Sequence, residues 1–290
     1  MKKGYLYVLL SAFLWGTLPV FCRLAYSMGA DSLSAAGARS YIAALIFLVI
    51  FLFKGTFKEL KIRDIPFYFL YGLAGVGGTF FFYMLAIERL STAMASVLLY
   101  TAPAFVIIFS RIFYKEKITP VKALALVGTL IGSALVVRAY EPSAFGSNIP
   151  NIFIGLLAGI SYSMVTILGK IAKTKGKPET NSGLMLIFGS VIFLFVKPPH
   201  TIDIPSVWAV LVYIWLGLMG SVLPYSFYLK GLGTGIDGSY ASVAATIEPV
   251  VATVLCAACF REGIEVLQIV GIVIVLLSVF AAVTAKSENS

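Results

Sequence analysis

The chain has 290 residues, 60% of them hydrophobic and 12% charged, with a formal net charge of +9. A soluble domain carries about 25% charged residues spread between its apolar ones. That excludes a soluble enzyme or a nucleic-acid-binding domain and points to an integral membrane protein with the lipid bilayer as its surroundings.

A helix crosses about 30 Å of hydrocarbon with roughly 17–25 apolar residues. Ten such runs follow one another: 5–26, 33–53, 66–87, 92–114, 120–137, 152–172, 182–196, 206–230, 239–260 and 264–285. The first, preceded by Lys2 and Lys3, is too long for a signal core, and Phe21 before Cys22 is too bulky for a lipidation site, so it counts as a spanning helix. The seventh is the shortest and is interrupted by Gly183 and Gly189. The connections are short and hold most of the charge, leaving no room for a soluble domain. The expected fold class is all-α integral membrane, with ten transmembrane helices.

Basic residues are retained on the cytoplasmic side. With the amino terminus inside, the inner ends carry Lys2, Lys3, Lys54, Lys58, Lys61, Arg63, Arg111, Lys115, Lys117, Lys122, Lys170, Lys173, Lys175, Lys177, Lys230 and Lys286. The outer ends carry Arg23, Arg39, Arg89, Arg138, Lys197 and Arg261. Both termini are therefore expected in the cytoplasm, and the net charge is an orientation signal that implies no nucleic-acid partner. Cys22, Cys256 and Cys259 all lie in apolar runs, and the single histidine, His200, falls in a connection. Core packing is favoured over metal or redox chemistry, and neither metal nor cofactor is expected.

Two copies of one unit lie about 146 residues apart. Ala95-Ser96-Val97, Pro103 and Lys115-Glu116 match Ala241-Ser242-Val243, Pro249 and Arg261-Glu262 at that spacing. LLSAFLWGTLPVFCRLA (9–25) lies beside LLAGISYSMVTILGKIA (156–172) at 147, and GLAGVGGTFFFY (72–83) beside GLMGSVLPYSFY (217–228) at 145. The units are 1–140 and 141–290, five helices each, together one membrane domain. Five is odd, so the second copy enters from the opposite side, and inverted repeats suit alternating access to a midplane site. A duplicated scaffold without transport is the plain alternative.

Arg39-Ser-Tyr-Ile-Ala-Ala-Leu, Pro103 followed by an apolar run to Lys115-Glu116-Lys117, and Glu248-Pro249-Val-Val-Ala leading to Arg261-Glu262 recur in the matching helices. On these motifs the chain resembles the EamA-type transporters of the drug/metabolite transporter superfamily, over nearly its whole length. The resemblance implies ten helices with cytoplasmic ends and a central cavity walled by helices 1, 3, 4, 6, 8 and 9. It also implies transport of small metabolites such as amino acids.

Depth selects the candidate site, since each residue advances a helix about 1.5 Å. Trp15, Tyr100, Tyr162 and Glu248 fall near the midplane of helices 1, 4, 6 and 9, and Trp15 and Tyr162 are repeat counterparts. Their rings suit an apolar or aromatic cargo, and Thr17, Thr101, Ser163 and Thr166 its polar end; the plain alternative is packing between helices or against lipid. Tyr83 and Tyr228 pair across the repeat but stand near predicted helix ends, where tyrosine serves as an interfacial anchor. Arg39 is expected to snorkel to the outer interface, with an ion pair or gate contact to Glu88 or Glu262 as the other reading. Glu116 and Glu262 are expected to fix charge pairing at the membrane surface.

Pro103 and Pro249 are expected to distort their helices, because proline lacks the N–H that a carbonyl one turn back requires. Glu248 is costly at its depth unless paired, hydrated or protonated. Its repeat counterpart is Ala102, so the proline belongs to both halves and the acid to one. Two readings stand: a cavity group that contacts a cargo amine or carries a proton, or a helix-packing group bonded to a backbone carbonyl.

The function expected is a secondary transporter of small organic metabolites, amino acids or related compounds with export preferred, in a bacterial-type cytoplasmic (inner) membrane. A multidrug efflux or nutrient uptake carrier is the near alternative, and a membrane-embedded enzyme acting on lipid the distant one. The lone histidine and the lack of paired catalytic groups at one depth speak against an enzyme. No GxxxxGK[ST] loop is present to bind ATP, so protons are the candidate coupling ion. The partners expected are a small-molecule cargo and the bilayer, and the protein is expected to be a monomer or homodimer.

Overall fold

The computed structural model describes residues 2–56, 60–141 and 149–285, without the Lys2 side chain; Lys58 and Lys286, counted above toward orientation, lie outside it. Among the described residues the chain is helical, with no strand. Among these residues, nine helices are long and apolar enough to cross a membrane. They are α1 Lys3–Ser27, α2 Ser32–Lys54, α3 Ile62–Arg89, α4 Thr92–Tyr114, α6 Ile149–Ala172, α7 Pro178–Val196, α8 Val207–Gly233, α9 Gly238–Phe260 and α10 Val266–Thr284. The tenth, α5 Pro120–Val136, has 17 residues, a length of about 26 Å at 1.5 Å per residue. The ten-helix, all-α membrane fold expected from the sequence is the fold observed.

The expectation for the seventh helix needs correction: it starts at Pro178 and runs unbroken for 19 residues. Its glycines serve close packing. A Cβ on Gly183 would collide with Phe47 and Phe51 of α2, and one on Gly77 of α3 would lie 2.8 Å from the Gly189 carbonyl. Small residues let helix backbones meet in a membrane, where packing replaces the hydrophobic drive. Helices α5 and α10 use the same device: Gly132 and Gly271 each face the other's carbonyl, at 2.9 and 2.7 Å from an added Cβ. This pair stands as a support beside the other eight.

Four interruptions recur in register. Wide π turns replace one α-turn at Leu73–Gly77 in α3 and at Leu218–Val222 in α8. Helix α4 kinks at Tyr100–Thr101 and α9 at Thr246–Ile247, each just ahead of its proline. At the α9 kink the N–H groups of Thr246 and Ile247 donate three residues back, to Val243 and Ala244, which tightens the turn where Pro249 has no N–H to offer. A fifth interruption has no counterpart: α1 divides at Thr17, ahead of Pro19, whereas α6 is continuous.

Ion pairs join the helix ends in two separate sets. On the amino-terminal side Lys175 meets Asp64 at 2.5 Å, Lys170 meets Glu116 at 2.7 Å and Lys122 meets Asp237 at 2.7 Å. On the opposite side Arg23 meets Glu262 at 2.6 Å, Lys197 meets Asp31 at 2.9 Å and Arg138 meets Glu265 at 3.4 Å. Each pair links ends that strict up-and-down alternation places on one face. The large apolar side chains left exposed, such as Leu52, Phe53, Leu124, Phe195 and Trp208, form the surface presented to lipid.

Candidate functional site

The kinks in α4 and α9 face each other across a small central cavity. Tyr100, Ala102 and Pro103 of α4, Tyr162 and Thr166 of α6, Tyr228 of α8, and Ser242, Ala245, Thr246 and Glu248 of α9 line it. Both kink prolines thus stand at the site, Pro103 on its wall and Pro249 directly after Glu248. Only about 10 Å³ is open to the centre of a water-sized sphere, room for about one water. The space is narrow, and Tyr100, Tyr162 and Glu248 are half-buried around it.

Glu248 opens the second segment of α9 and presents its carboxyl to the phenols of Tyr100 and Tyr162. Thr166 and Tyr228 share a hydrogen bond of 2.6 Å on the same wall. Trp15 does not line the cavity. It is buried behind it, with its ring edge-on to Tyr162 at 5.8 Å and to Tyr225 at 5.0 Å, and tilted against Tyr228 at 5.7 Å. The repeat counterparts Trp15 and Tyr162 are therefore in direct contact, and the indole fixes the pose of the phenol that reaches Glu248.

Three expected hydroxyls are placed elsewhere. Thr17 donates to the Leu14 carbonyl at 2.7 Å, Thr101 to Leu98 at 2.5 Å and Ser163 to Ile160 at 2.6 Å, each one turn back in its own helix. None is among the residues lining the cavity, because a threonine or serine at a kink or inside a helix bonds locally before it reaches outward. Tyr228 shows the reverse. Helix α8 continues to Gly233, so this tyrosine is buried at the cavity and is no interfacial anchor. Ser242 and Thr246 also line the site, and the one-turn spacing from Ser242 through Ala245 to Glu248 marks them in the sequence.

Arg39 does not snorkel. Its Nε donates to the Ser221 hydroxyl at 2.7 Å and an Nη to the Gly220 carbonyl at 2.6 Å, and the guanidinium lies 4.3 Å from the Phe80 ring centroid. Glu262, one of its expected partners, is bound to Arg23. The cause is the π turn in α8. In α3 the equivalent carbonyl, Gly75, is taken by Thr79 of its own helix at 2.7 Å; in α8 the position of Thr79 is held by Pro224, which has no hydroxyl. In α8 the Gly220 carbonyl accepts from Arg39 instead, and the arginine's charge acts on Glu248. Among the described residues no cluster of three His, Cys, Asp or Glu side chains could hold a metal ion.

The sequence pattern of the EamA-like transporter family matches residues 2–138 and again residues 149–284. The chain belongs to the EamA-like transporter family. An uncharacterized transporter of Archaeoglobus fulgidus is 31% identical to this transporter over 285 residues, covering 97% of each chain. The uncharacterized transporter YyaM of Bacillus subtilis is 25% identical over 97% of this chain and 94% of its own. Solute carrier family 35 member G1 of Homo sapiens is 34% identical over half of this chain and 38% of its own length. A solved crystal structure at 18% identity superposes with a TM-score of 0.81 over 97% of the transporter and 96% of its own chain, the same fold.

Proposed function

We propose that this membrane transporter carries small organic metabolites by alternating access, with amino acids or related amines as cargo and export as the preferred direction. The observation that carries the reading is Glu248 in a narrow cavity with three phenols, Tyr100, Tyr162 and Tyr228, where the kinks of two repeat-related helices meet. A carboxylate among aromatic rings suits a cationic amine on an apolar or aromatic body. Arg39, one layer away, supplies the opposite charge that a zwitterion's carboxylate seeks. Export rests on the family resemblance alone.

Glu248 also serves as the proton carrier in this proposal, since a deep carboxyl alternates between a paired, charged form and a neutral one. The bias of Lys and Arg supports placing both termini in the cytoplasm of a bacterial-type cell, in its inner membrane. The test is purified protein in liposomes, given a panel of radiolabelled amino acids, amines and neutral metabolites with and without an imposed pH gradient. Uptake of an amine-bearing compound that responds to the gradient is the expected result. Movement of none of them, with turnover of a lipid instead, would overturn the transport reading and favour an enzyme.

A further inference from the structure

The two sets of ion pairs contain one pair that the repeat duplicates. Lys170 and Arg23 are counterparts at the 147-residue spacing, and Glu116 and Glu262 at 146. Lys170 of α6 meets Glu116 after α4 at 2.7 Å, and Arg23 of α1 meets Glu262 after α9 at 2.6 Å. The correspondence extends to the rings. The Lys170 ammonium lies 4.8 Å from the Tyr114 centroid and the Arg23 guanidinium 5.0 Å from the Phe260 centroid, and Tyr114 and Phe260 are also 146 apart. It extends to the backbone, since Lys115 and Arg261 both take the left-handed conformation, at φ 56° and 57°, and thereby turn the following acid toward the base. One sequence plan has built the same contact at both ends of the molecule.

The two copies differ in depth and backing. The Lys170 and Glu116 side chains are 17% and 14% exposed, those of Arg23 and Glu262 47% and 49%. Lys170 also donates to Ser110 at 3.0 Å, and Glu116 faces Lys122 at 4.0 Å, which in turn holds Asp237 at 2.7 Å. On the opposite face the counterparts of Lys122 and Asp237 are Gln268 and Ser91, both uncharged. Gln268 donates to the Val136 carbonyl and caps α10, and Ser91 caps α4. Among the described residues, these two positions hold an ion pair on the amino-terminal side alone.

We propose that Lys170–Glu116 and Arg23–Glu262 are paired latches that close the two ends of the transport pathway, and that Lys122–Asp237 makes the amino-terminal latch the harder to open. Of the helices involved, α4, α6 and α9 line the cavity, α1 packs behind it, and Lys122 reaches in from the start of α5. The amino-terminal network ties together the near ends of α4, α6 and α9, and the opposite latch ties α1 to the far end of α9. Both pairs are formed in this structure, and the more exposed of them is the one that opens first, away from the amino terminus. The proposal rests on the alternating-access reading and adds the residues that gate it.

The test uses the full chain with Cys22, Cys256 and Cys259 replaced by serine, one reporter cysteine at Ala245→Cys, and a small membrane-impermeant maleimide. Labelling is timed from each face in vesicles whose orientation an amino-terminal tag reports. Wild-type latches predict faster labelling from the face opposite the amino terminus. Arg23→Ala or Glu262→Gln is expected to raise the rate from that face at least threefold and leave the other within twofold. Lys170→Ala, Glu116→Gln or Lys122→Met is expected to do the reverse.

The charge exchange Arg23→Glu with Glu262→Arg, made at the exposed latch, is expected to restore the parent rate. Rates that rise equally from both faces, rates that do not change, or an exchange that fails to restore would each overturn the proposal. Should the inner variants fold poorly, the outer pair and its exchange decide alone. Labelling needs no cargo, so absent flux with sided labelling would sink the transport reading, whereas intact flux with unsided labelling would sink the latches.

Discussion

Helix α4 and helix α9 are built on one backbone plan and carry different chemistry. Both kink ahead of a proline, both end in a left-handed residue, and both are followed by an acid that binds the counterpart base. Yet the residue before the proline is Ala102 in one and Glu248 in the other, and the helix N-cap is neutral Ser91 in one and Asp237, bound to a buried lysine, in the other. What the halves share bends helices and joins their ends. What they do not share is charge, placed at the cavity and at the amino-terminal side, and that is where the transport chemistry is assigned.

The difference at the helix ends is the easiest to enlarge. Lys122→Met leaves Asp237 buried without its cation, a loss of about 3–5 kcal/mol. Gln268→Met at the matched position removes hydrogen bonds to the Val136 carbonyl and the Glu265 N–H, a loss of about 1–3 kcal/mol. Thermal unfolding of the two variants in one detergent should rank them in that order, and equal losses would erase the asymmetry.

The shared scaffold is probed at the glycine crossings. Gly189→Leu drives a side chain into Gly72 and Gly77 of α3 and is expected to cost about 1–3 kcal/mol, seen as a lower unfolding temperature and less monodisperse protein. Gly263→Ala, where an added Cβ meets nothing within 4 Å, is expected to be neutral.

The smallest effect belongs to the connections on the face opposite the amino terminus. Desolvation acts to raise the Asp31 carboxyl, but contacts with Asp203, the Ser34 N–H and Lys197 outweigh it and hold the group below its ordinary range. The Asp31 bond holds the Lys197 ammonium above its own. The lowered acid contributes above about pH 4 and is lost as pH falls through its folded value, while the raised base contributes below about pH 10 and is lost above it. The stability gap between wild type and Asp31→Asn is therefore expected to be flat from pH 5 to 8 and to close below 4. Its ion-pair part stays under about 1 kcal/mol because the pair is partly exposed.

Much of this was legible in the sequence, and the misses share a cause. Apolar runs and Lys/Arg counts yield ten helices because a bilayer constrains length and polarity residue by residue. Depth, which needs only a rise per residue, picks out Glu248, Tyr100, Tyr162 and Thr166, four residues that line the cavity. Thr17, Thr101 and Ser163 share that depth but bond to their own helices, since depth does not say which way a side chain turns. Arg39 points inward, to a carbonyl and a hydroxyl of the π turn on another helix. The only sign of that is Pro224 standing where the other repeat has Thr79, a difference legible once the two copies are aligned through their structure. The latch residues were visible as repeats, but their pairing across 54 and 239 positions is tertiary.

The central claim is that the acid found in one half alone is the group the cargo uses. It is tested by flux of an amine-bearing cargo through liposomes holding equal amounts of wild type or Glu248→Gln, measured from pH 5 to 8. The account predicts at least a tenfold loss at saturating pH gradient, about 1.4 kcal/mol, and a flattened pH profile in the variant. Unchanged flux and an unchanged profile would contradict it and return Glu248 to a role in helix packing.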